Sequence, residues 1–387
     1  MNKISLIIPS YGNKQHLINA YESVRRYYKD VEMVLINDGS EDDTFEWLEN
    51  LSDNNVIKIN SKERKGHTYF YDEGMKVASN DIVGIIHADM IIGPNYIENM
   101  MKHLEPGKVV CATRVEPPIH PAGLEKIVKD FGMDWNDLKI DKFEQWCLDT
   151  QTHEKDNITR GIFAPWILYR EDHFAIGGHD QTFAPYGYED SDIFNRWILA
   201  GYEMVQSRDA FVYHLTCRGH RWSKGVGIVN DDYEAQMKRC RRDFIRKWGD
   251  WIHNDEYQYP IINPKYDIGF IIKNPTLQLV SELEPWCSNV YIEGHRLASI
   301  DLVEYMEKEP SFYNIKSKFK PVLAEVDNDI LIELDCTRLT QQDFTNIQKL
   351  PAIISNDKEL GSGTFTLGNL NITINNIKTY ERELIKC

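Results

Sequence analysis

Acidic and imidazole side chains in this chain stand directly after short apolar runs. His87-Ala88-Asp89 follows Ile82-Val83-Gly84-Ile85-Ile86, Asp38 follows Val31 to Ile36, Glu189-Asp190-Ser191-Asp192 opens a helical pattern, and His214 closes Ala210 to Tyr213. Carboxylates repel a phosphate unless a divalent cation stands between them, and hard oxygen ligands suit Mg2+ or Mn2+. An imidazole such as His214 can add to the coordination of such a cation. Arg218, His220, Arg221 and Lys224 form a local basic group on an otherwise acidic chain. Metal-assisted handling of a diphosphate is the chemistry these residue types could do together.

Each feature also has a plainer role. Asp89 is a turn former ahead of Gly93-Pro94, acids at a helix start cap the helix, a strand-end histidine can be structural, and a basic cluster can be a solvated loop. Their shared position argues for more, because Asp38, Asp89 and Glu189 to Asp192 all follow strands of one expected domain. In an open α/β sheet the carboxyl ends of the strands face the ligand crevice.

The elements that must hold them alternate. Ile4 to Ile8, Val31 to Ile36, Val56 to Ile59 and Ile82 to Ile86 are β-branched runs that predict strands buried on both faces. Between them, Leu17, Tyr21, Val24 and Tyr28 share one helical face, and Ser40 to Asp43 is expected to cap a helix bearing Phe45, Leu48 and Leu51. Thr68 to Ala78 predicts a helix, and Pro94 is expected in the first turn of another that carries Ile97, Met100, Met101 and Leu104. This alternation predicts an α/β domain with a mostly parallel central sheet flanked by helices. Pro117 to Arg160 reads as elaboration over the crevice, Trp166 to Tyr169 as a strand, Gly177-Gly178 as a break, and Ser191 to Leu199 as a helix stopped at Gly201. A linker-like passage with two prolines places a boundary near residue 262, with 223–262 as a helical extension. Residues 263–387 are expected to form a smaller α+β domain without a catalytic motif.

Composition sets bounds. With 387 residues and 42% hydrophobic content the chain has material for two cores. A net charge of −16 argues against a nucleic-acid polymer as partner. Seven scattered cysteines, without a Cys-x-x-Cys pair, fit reduced thiols rather than a disulfide framework or a zinc site. No segment approaches the roughly 20 apolar residues of a membrane span, and the first apolar stretch ends at Pro9, so a cytoplasmic location is expected. A dinucleotide-binding Rossmann domain is disfavoured, because Pro9-Ser10-Tyr11-Gly12 stands where its glycine fingerprint would.

Taken in order, Ile7-Ile8-Pro9-Ser10-Tyr11, Ile36-Asn37-Asp38-Gly39-Ser40 with Asp43-Thr44, His87-Ala88-Asp89, Gly177-Gly178, Glu189-Asp190-Ser191-Asp192 and Val212-Tyr213-His214 resemble the inverting glycosyltransferases of family 2 over about residues 4–222. The resemblance implies a GT-A nucleotide-sugar-binding domain over 1–262, with 263–387 as an accessory domain. It implies a metal-dependent transfer from a nucleoside-diphosphate sugar, UDP-sugar favoured, to a hydroxyl of a glycan or other acceptor. It assigns Pro9, Tyr11 and Asp38 to the nucleoside, Asp89 and His214 to a Mn2+ or Mg2+ ion, and Asp190 to the general base. Glu189 and Asp192 are then supporting acids, while Lys65, His87, Arg218, His220 and Arg221 complete the donor site.

Two departures stand out. His87 replaces the leading acid of the family's Asp-x-Asp, and Tyr71-Asp72 stands where many relatives place Arg-Asn, so the expected cationic contact must come from Arg64 or Lys65 or be absent. The first keeps open an alternative, a catalytically silent nucleotide- or glycan-binding module. A processive synthase is disfavoured because Gln236 to Cys240 ends in Cys where that branch's Gln-x-x-Arg-Trp ends in Trp, and because no membrane span is expected. A nucleotidyltransferase is disfavoured because Pro9 to Asn13 is not a glycine-rich basic loop.

Overall fold

The structure, a computed structural model, describes residues 3–218, 221–222, 227–297, 299–322, 326–357 and 360–387. It divides into two compact units, one of residues 1–236, 254–261 and 386–387, the other of 237–253 and 262–385. Among the described residues, no helix is long and apolar enough to cross a membrane.

In the first unit the chain runs β1 (Ile4–Ser10), α1 (Lys14–Tyr27), β2 (Glu32–Asp38), α2 (Thr44–Asn50), β3 (Val56–Ser61), α3 (His67–Val77), β4 (Ile82–Ile85), β5 (Met90–Ile92) and α4 (Tyr96–Met101). It continues through β6 (Lys108–Glu116), β7 (Lys126–Val128), α5 (Ile140–Thr150), β8 (Ile158–Thr159), β9 (Trp166–Tyr169), α6 (Arg170–Ala175), α7 (Glu189–Leu199) and β10 (Glu203–His214), and ends with the first four residues of α8 (Tyr233–Trp248). The sheet order is β3-β2-β1-β4-β9-β6-β10-β5, with β7 beside β6 and β8 beside β10.

β3, β2, β1 and β4 pair in parallel, β9 runs antiparallel to both β4 and β6, β6 and β10 are parallel again, and β5 is antiparallel to β10. The expected parallel-rich α/β sheet is therefore present. Every residue of β1 is buried, as a central strand covered on both faces requires. α1 buries Leu17, Ala20 and Val24, and α3 buries Phe70, Tyr71 and Met75.

Several local expectations change. Ser40 to Asp43 does not form a capping box; Asp42 accepts the Thr44 amide at 3.1 Å, and Ser40 Oγ accepts the Gly12 amide at 2.9 Å. α4 starts at Tyr96 behind Asn95, whose φ is 56°, so Pro94 lies outside the helix. β10 begins at Glu203 rather than Ala210, because its register against β6 shifts between Gln206 and Phe211 and hides one long strand as two short patterns. β6 escaped the periodicity reading, since buried Arg114 and Glu116 interrupt its apolar face.

The second unit starts within α8 and adds β11 (Ile268–Lys273), α9 (Leu277–Leu283), β12 (Asn289–Ile292), α10 (Gly294–Leu297), α11 (Ile300–Lys308), α12 (Ile315–Lys318), β13 (Phe319–Pro321), β14 (Ile330–Asp335), α13 (Gln341–Asn356), β15 (Gly363–Leu367) and β16 (Leu370–Ile374). Its sheet order is β13-β12-β11-β14-β16-β15, parallel from β13 to β14 and closed by the antiparallel β15–β16 hairpin. Phe270, Ile332, Leu350 and Ile372 lie in its core together with Ile245 of α8.

Candidate functional site

The carboxyl ends of β1, β2, β4 and β10 and the start of α7 carry the acids and imidazoles. Asp38, the last residue of β2, is almost fully buried and clasps the loop before α3: its Oδ1 accepts the Lys65 amide at 2.6 Å and its Oδ2 the Gly66 amide at 3.0 Å. Burial pushes its carboxyl up to about 6 against the opposing pull of those amides and of Arg64. Gly66 has φ +94°, and a Cβ there would meet Pro185 Cα at 2.2 Å, so only glycine fits the approach. Pro9 is buried in β1. Tyr11 lies at its mouth under the Arg64 guanidinium, 3.9 Å from the ring centroid. Arg64 thus supplies a cation at this end of the crevice, while the Lys65 ammonium lies 4.9 Å from the Tyr69 ring centroid.

Past β4, His87, Asp89 and His214 come together: one ligand atom from each lies within 4.8 Å of the others. His214 Nε2 is 3.6 Å from Asp89 Oδ1, and the His87 and His214 ring centroids are 6.0 Å apart. Burial works to raise the Asp89 carboxyl, but its polar neighbours, His214 foremost and the Arg218 amide among them, hold it below the ordinary value. Burial pushes His87 down to about 3, so its imidazole is neutral and keeps a lone pair for a cation. Two imidazoles and a carboxylate are a donor set that fits a divalent metal.

The backbone after β10 turns through Thr216 and Cys217, with φ of 57° and 61°, and brings the Arg218 amide 3.2 Å from Asp89 Oδ2. Arg218 itself is buried, receives Asn13 Nδ2 at its carbonyl at 2.8 Å and donates to the Met133 carbonyl. The Arg221 guanidinium lies 5.6 Å from the Trp222 ring centroid and 5.7 Å from that of Tyr233. His220 and Lys224 lie outside the described residues.

Behind His214 stands Glu116 at the end of β6. His214 Nδ1 is 3.0 Å from Glu116 Oε1, which also accepts from Arg114 Nη1 at 2.8 Å, while Lys126 Nζ reaches Oε2 at 2.7 Å. Burial would raise the Glu116 carboxyl, yet these partners hold it well below the carboxylate range. An acid closing a strand, the rule that marked Asp38, also marks Glu116 once β6 is recognised.

At the start of α7, Glu189 Oε1 is 2.6 Å from His67 Nε2, and Glu189 Oε2 accepts the Gly187 amide. Burial raises the Glu189 carboxyl. Asp190 is half-buried; burial, with the Glu189 charge beside it, pushes its carboxyl up to about 7 despite His179 and Arg114. A carboxyl of that strength can accept a proton near neutral pH. Asp192 sits apart: fully buried, it is 2.8 Å from Arg196 Nε, and Arg196 also donates to the Ile176 and Gly178 carbonyls.

Tyr71 of α3 stands between the two acidic groups, its ring centroid 6.4 Å from that of His87 and 5.1 Å from that of His67. Burial, then the charges of Asp190, Glu189 and Asp89, raise its phenol well above the ordinary value. Its neighbour Asp72 is closed on itself, with Oδ1 2.9 Å from His173 Nε2 and 2.7 Å from His179 Nδ1. A Cβ on Gly178 would strike Asp72 Oδ2 at 2.3 Å, which accounts for the Gly177-Gly178 break.

Residues 5–164 match the family described as glycosyl transferase family 2, and residues 151–218 the family described as N-terminal domain of galactosyltransferase. An undecaprenyl-phosphate 4-deoxy-4-formamido-L-arabinose transferase of Proteus mirabilis is 31% identical over 30% of this chain and 37% of its own length. A validoxylamine A glucosyltransferase of Streptomyces hygroscopicus subsp. jinggangensis is 24% identical over 54% of each chain. This chain thus spans only part of the length of the curated relatives it matches. Among solved structures, GalNAc-T7 with UDP, GalNAc and Mn2+ aligns at a TM-score of 0.43 and 15% identity, over 55% of this chain and 43% of that one. The mannosyltransferase PcManGT of Pyrobaculum calidifontis, in complex with GDP-Man and Mn2+, aligns at 0.39 and 18% identity, over 55% of this chain and 56% of that one.

Proposed function

We propose that this chain, whose residues 5–164 match glycosyl transferase family 2, is a cytoplasmic, metal-dependent, inverting glycosyltransferase. The donor is a nucleoside-diphosphate sugar, UDP-sugar favoured, and the acceptor a hydroxyl of a glycan or other molecule. Residues 1–262 would carry the transfer and 263–387 serve as an accessory domain. The observation that carries the proposal is that two kinds of acid, Asp89 and Asp190, both lie close enough to Tyr71 to act on its phenol. Asp89 is kept ionised beside two imidazoles, and Asp190 is kept basic enough to take a proton near pH 7.

In this scheme Asp190 removes the acceptor hydroxyl proton as the oxygen attacks the anomeric carbon from the face opposite the diphosphate. Glu189, anchored by His67 and the Gly187 amide, supplies the negative charge that keeps Asp190 basic. Asp89 and His214, with His87, would hold Mn2+ or Mg2+. When bound, the cation supplies Lewis-acid neutralisation of the leaving diphosphate. Tyr11, Pro9 and Asp38 line the nucleoside end, and Arg64 joins Lys65 as the cation of that end. Arg218, His220 and Arg221 belong to the diphosphate side. Asp192 holds α7 in place through Arg196 rather than meeting the substrate.

Screening uridine and guanosine diphosphate sugars for Mn2+-stimulated release of the nucleoside diphosphate tests this. Release from at least one donor, lost in Asp89→Ala, is the expected result. Tight binding of a nucleoside diphosphate with no release from any donor would instead identify the silent module.

A further inference from the structure

We propose that Glu116 is a positioning residue for His214, holding the imidazole with its proton on Nδ1 so that Nε2 is presented as a bare electron-pair donor beside Asp89. This rests on the reading of Asp89 and His214 as metal ligands and adds the carboxylate behind them. A neutral imidazole has two tautomers, and the hydrogen bond made by one nitrogen decides which lone pair the other offers. Metal-ligating histidines are commonly held in this way by an outer carboxylate.

The geometry is built into the sheet rather than improvised by a loop. β10 and β6 pair in parallel with Tyr213 opposite Val115, so the next residues, His214 and Glu116, are cross-strand neighbours on one face. His214 Nδ1 is 3.0 Å from Glu116 Oε1, while the opposite nitrogen, Nε2, is the atom turned toward Asp89 Oδ1 at 3.6 Å. Glu116 is itself clamped. Arg114 Nη1 donates to Oε1 at 2.8 Å and Lys126 Nζ to Oε2 at 2.7 Å. Arg114 lies over the Phe163 ring at 3.9 Å, and β7 pairs with β6 so that Lys126 stands opposite Arg114. Two fixed cations leave the carboxylate no freedom to turn away from the imidazole.

The test is a Mn2+ titration of the full chain, following the electron paramagnetic resonance signal of free Mn2+, for the wild type, Glu116→Gln, Glu116→Ala and Asp89→Ala. Loss of an outer-shell partner is expected to weaken binding about 10- to 100-fold, with Glu116→Gln, which keeps an oxygen acceptor, less affected than Glu116→Ala. Without metal, nitrogen NMR of labelled histidines should show His214 protonated at Nδ1 in the wild type and as a tautomer mixture in Glu116→Ala. That shift is one a merely structural role would not produce. If Glu116→Ala does not fold, Glu116→Gln carries both measurements. Unchanged Mn2+ affinity and tautomer in the Glu116 variants, with binding abolished in Asp89→Ala, overturns the positioning role and leaves the metal site standing. Absence of Mn2+ binding in the wild type, or binding untouched by Asp89→Ala, overturns both.

Discussion

At the residue scale, Asp190 gains its basicity from low solvation and from the Glu189 charge beside it. Asp190→Asn keeps the shape and removes the proton acceptor, so turnover should fall about 10²- to 10⁴-fold while the dissociation constant of the donor stays within a few-fold. The pH profile follows the same group: with its pKa raised to about 7, Asp190 is protonated below that pH and cannot act as base. Turnover should therefore rise with pH through about 7 and level off above it; a profile already flat from pH 5 upward would assign the base elsewhere. Asp38, Asp89, Asp190 and His214 were legible in the sequence because each follows an apolar run or opens a helix. Glu116, and the placement of Tyr71 between the acids, were not. The first hides in a strand whose buried ion pairs break its hydrophobic pattern, and the second in the core-facing stripe of α3.

At the element scale, α7 and the loop before α3 bring the two acidic groups together. Asp192 pins α7 through Arg196, and both side chains are fully buried. Asp192→Ala removes the charged hydrogen-bond partner of the buried Arg196 guanidinium and should cost about 1.5–3 kcal/mol in denaturant unfolding. Asp192→Asn should be milder if the hydrogen bond to Arg196 persists. Gly66→Ala faces both a left-handed φ and the Pro185 backbone. A loss of roughly 1–3 kcal/mol for the backbone conformation alone is expected, together with weaker donor binding, because the Asp38 clasp must open to make room. Unchanged stability in Gly66→Ala would contradict that close approach. Strand and helix order were legible through β4 because the parallel strands are continuous apolar runs. The boundaries that failed, at α4, α2 and β10, were decided by a left-handed Asn95, an Asp42 side-chain turn onto the Thr44 amide and a register shift, none of which leaves a periodic signature.

At the scale of the whole molecule, the sequence placed the boundary near residue 262, whereas the second compact unit takes in residues 237–253 as well. The reason is chemical. Arg246 of α8 lies 2.6 Å from Glu284 and 2.8 Å from Asp243, all three buried, and Ile245 belongs to the apolar core of that unit. A charged, mostly polar helix carries no sign of which core it serves until its buried partners are seen. A fragment of residues 237–385 should therefore unfold cooperatively. One beginning at 263 lacks Ile245, Arg242 and Arg246, leaves Lys318 as the cation beside Glu284, and should unfold at lower temperature and less sharply. Equal cooperativity of the two fragments in thermal unfolding would show that α8 is dispensable to this unit.

The central claim, a single displacement served by one base, is tested most directly by the anomeric configuration of the first product. With whichever α-linked nucleotide sugar the Mn2+-stimulated screen identifies, proton NMR during the first turnovers should show the β-anomer, and Asp190→Asn should show no product on that timescale. An α-anomer formed first, or full turnover in Asp190→Asn, would contradict the account.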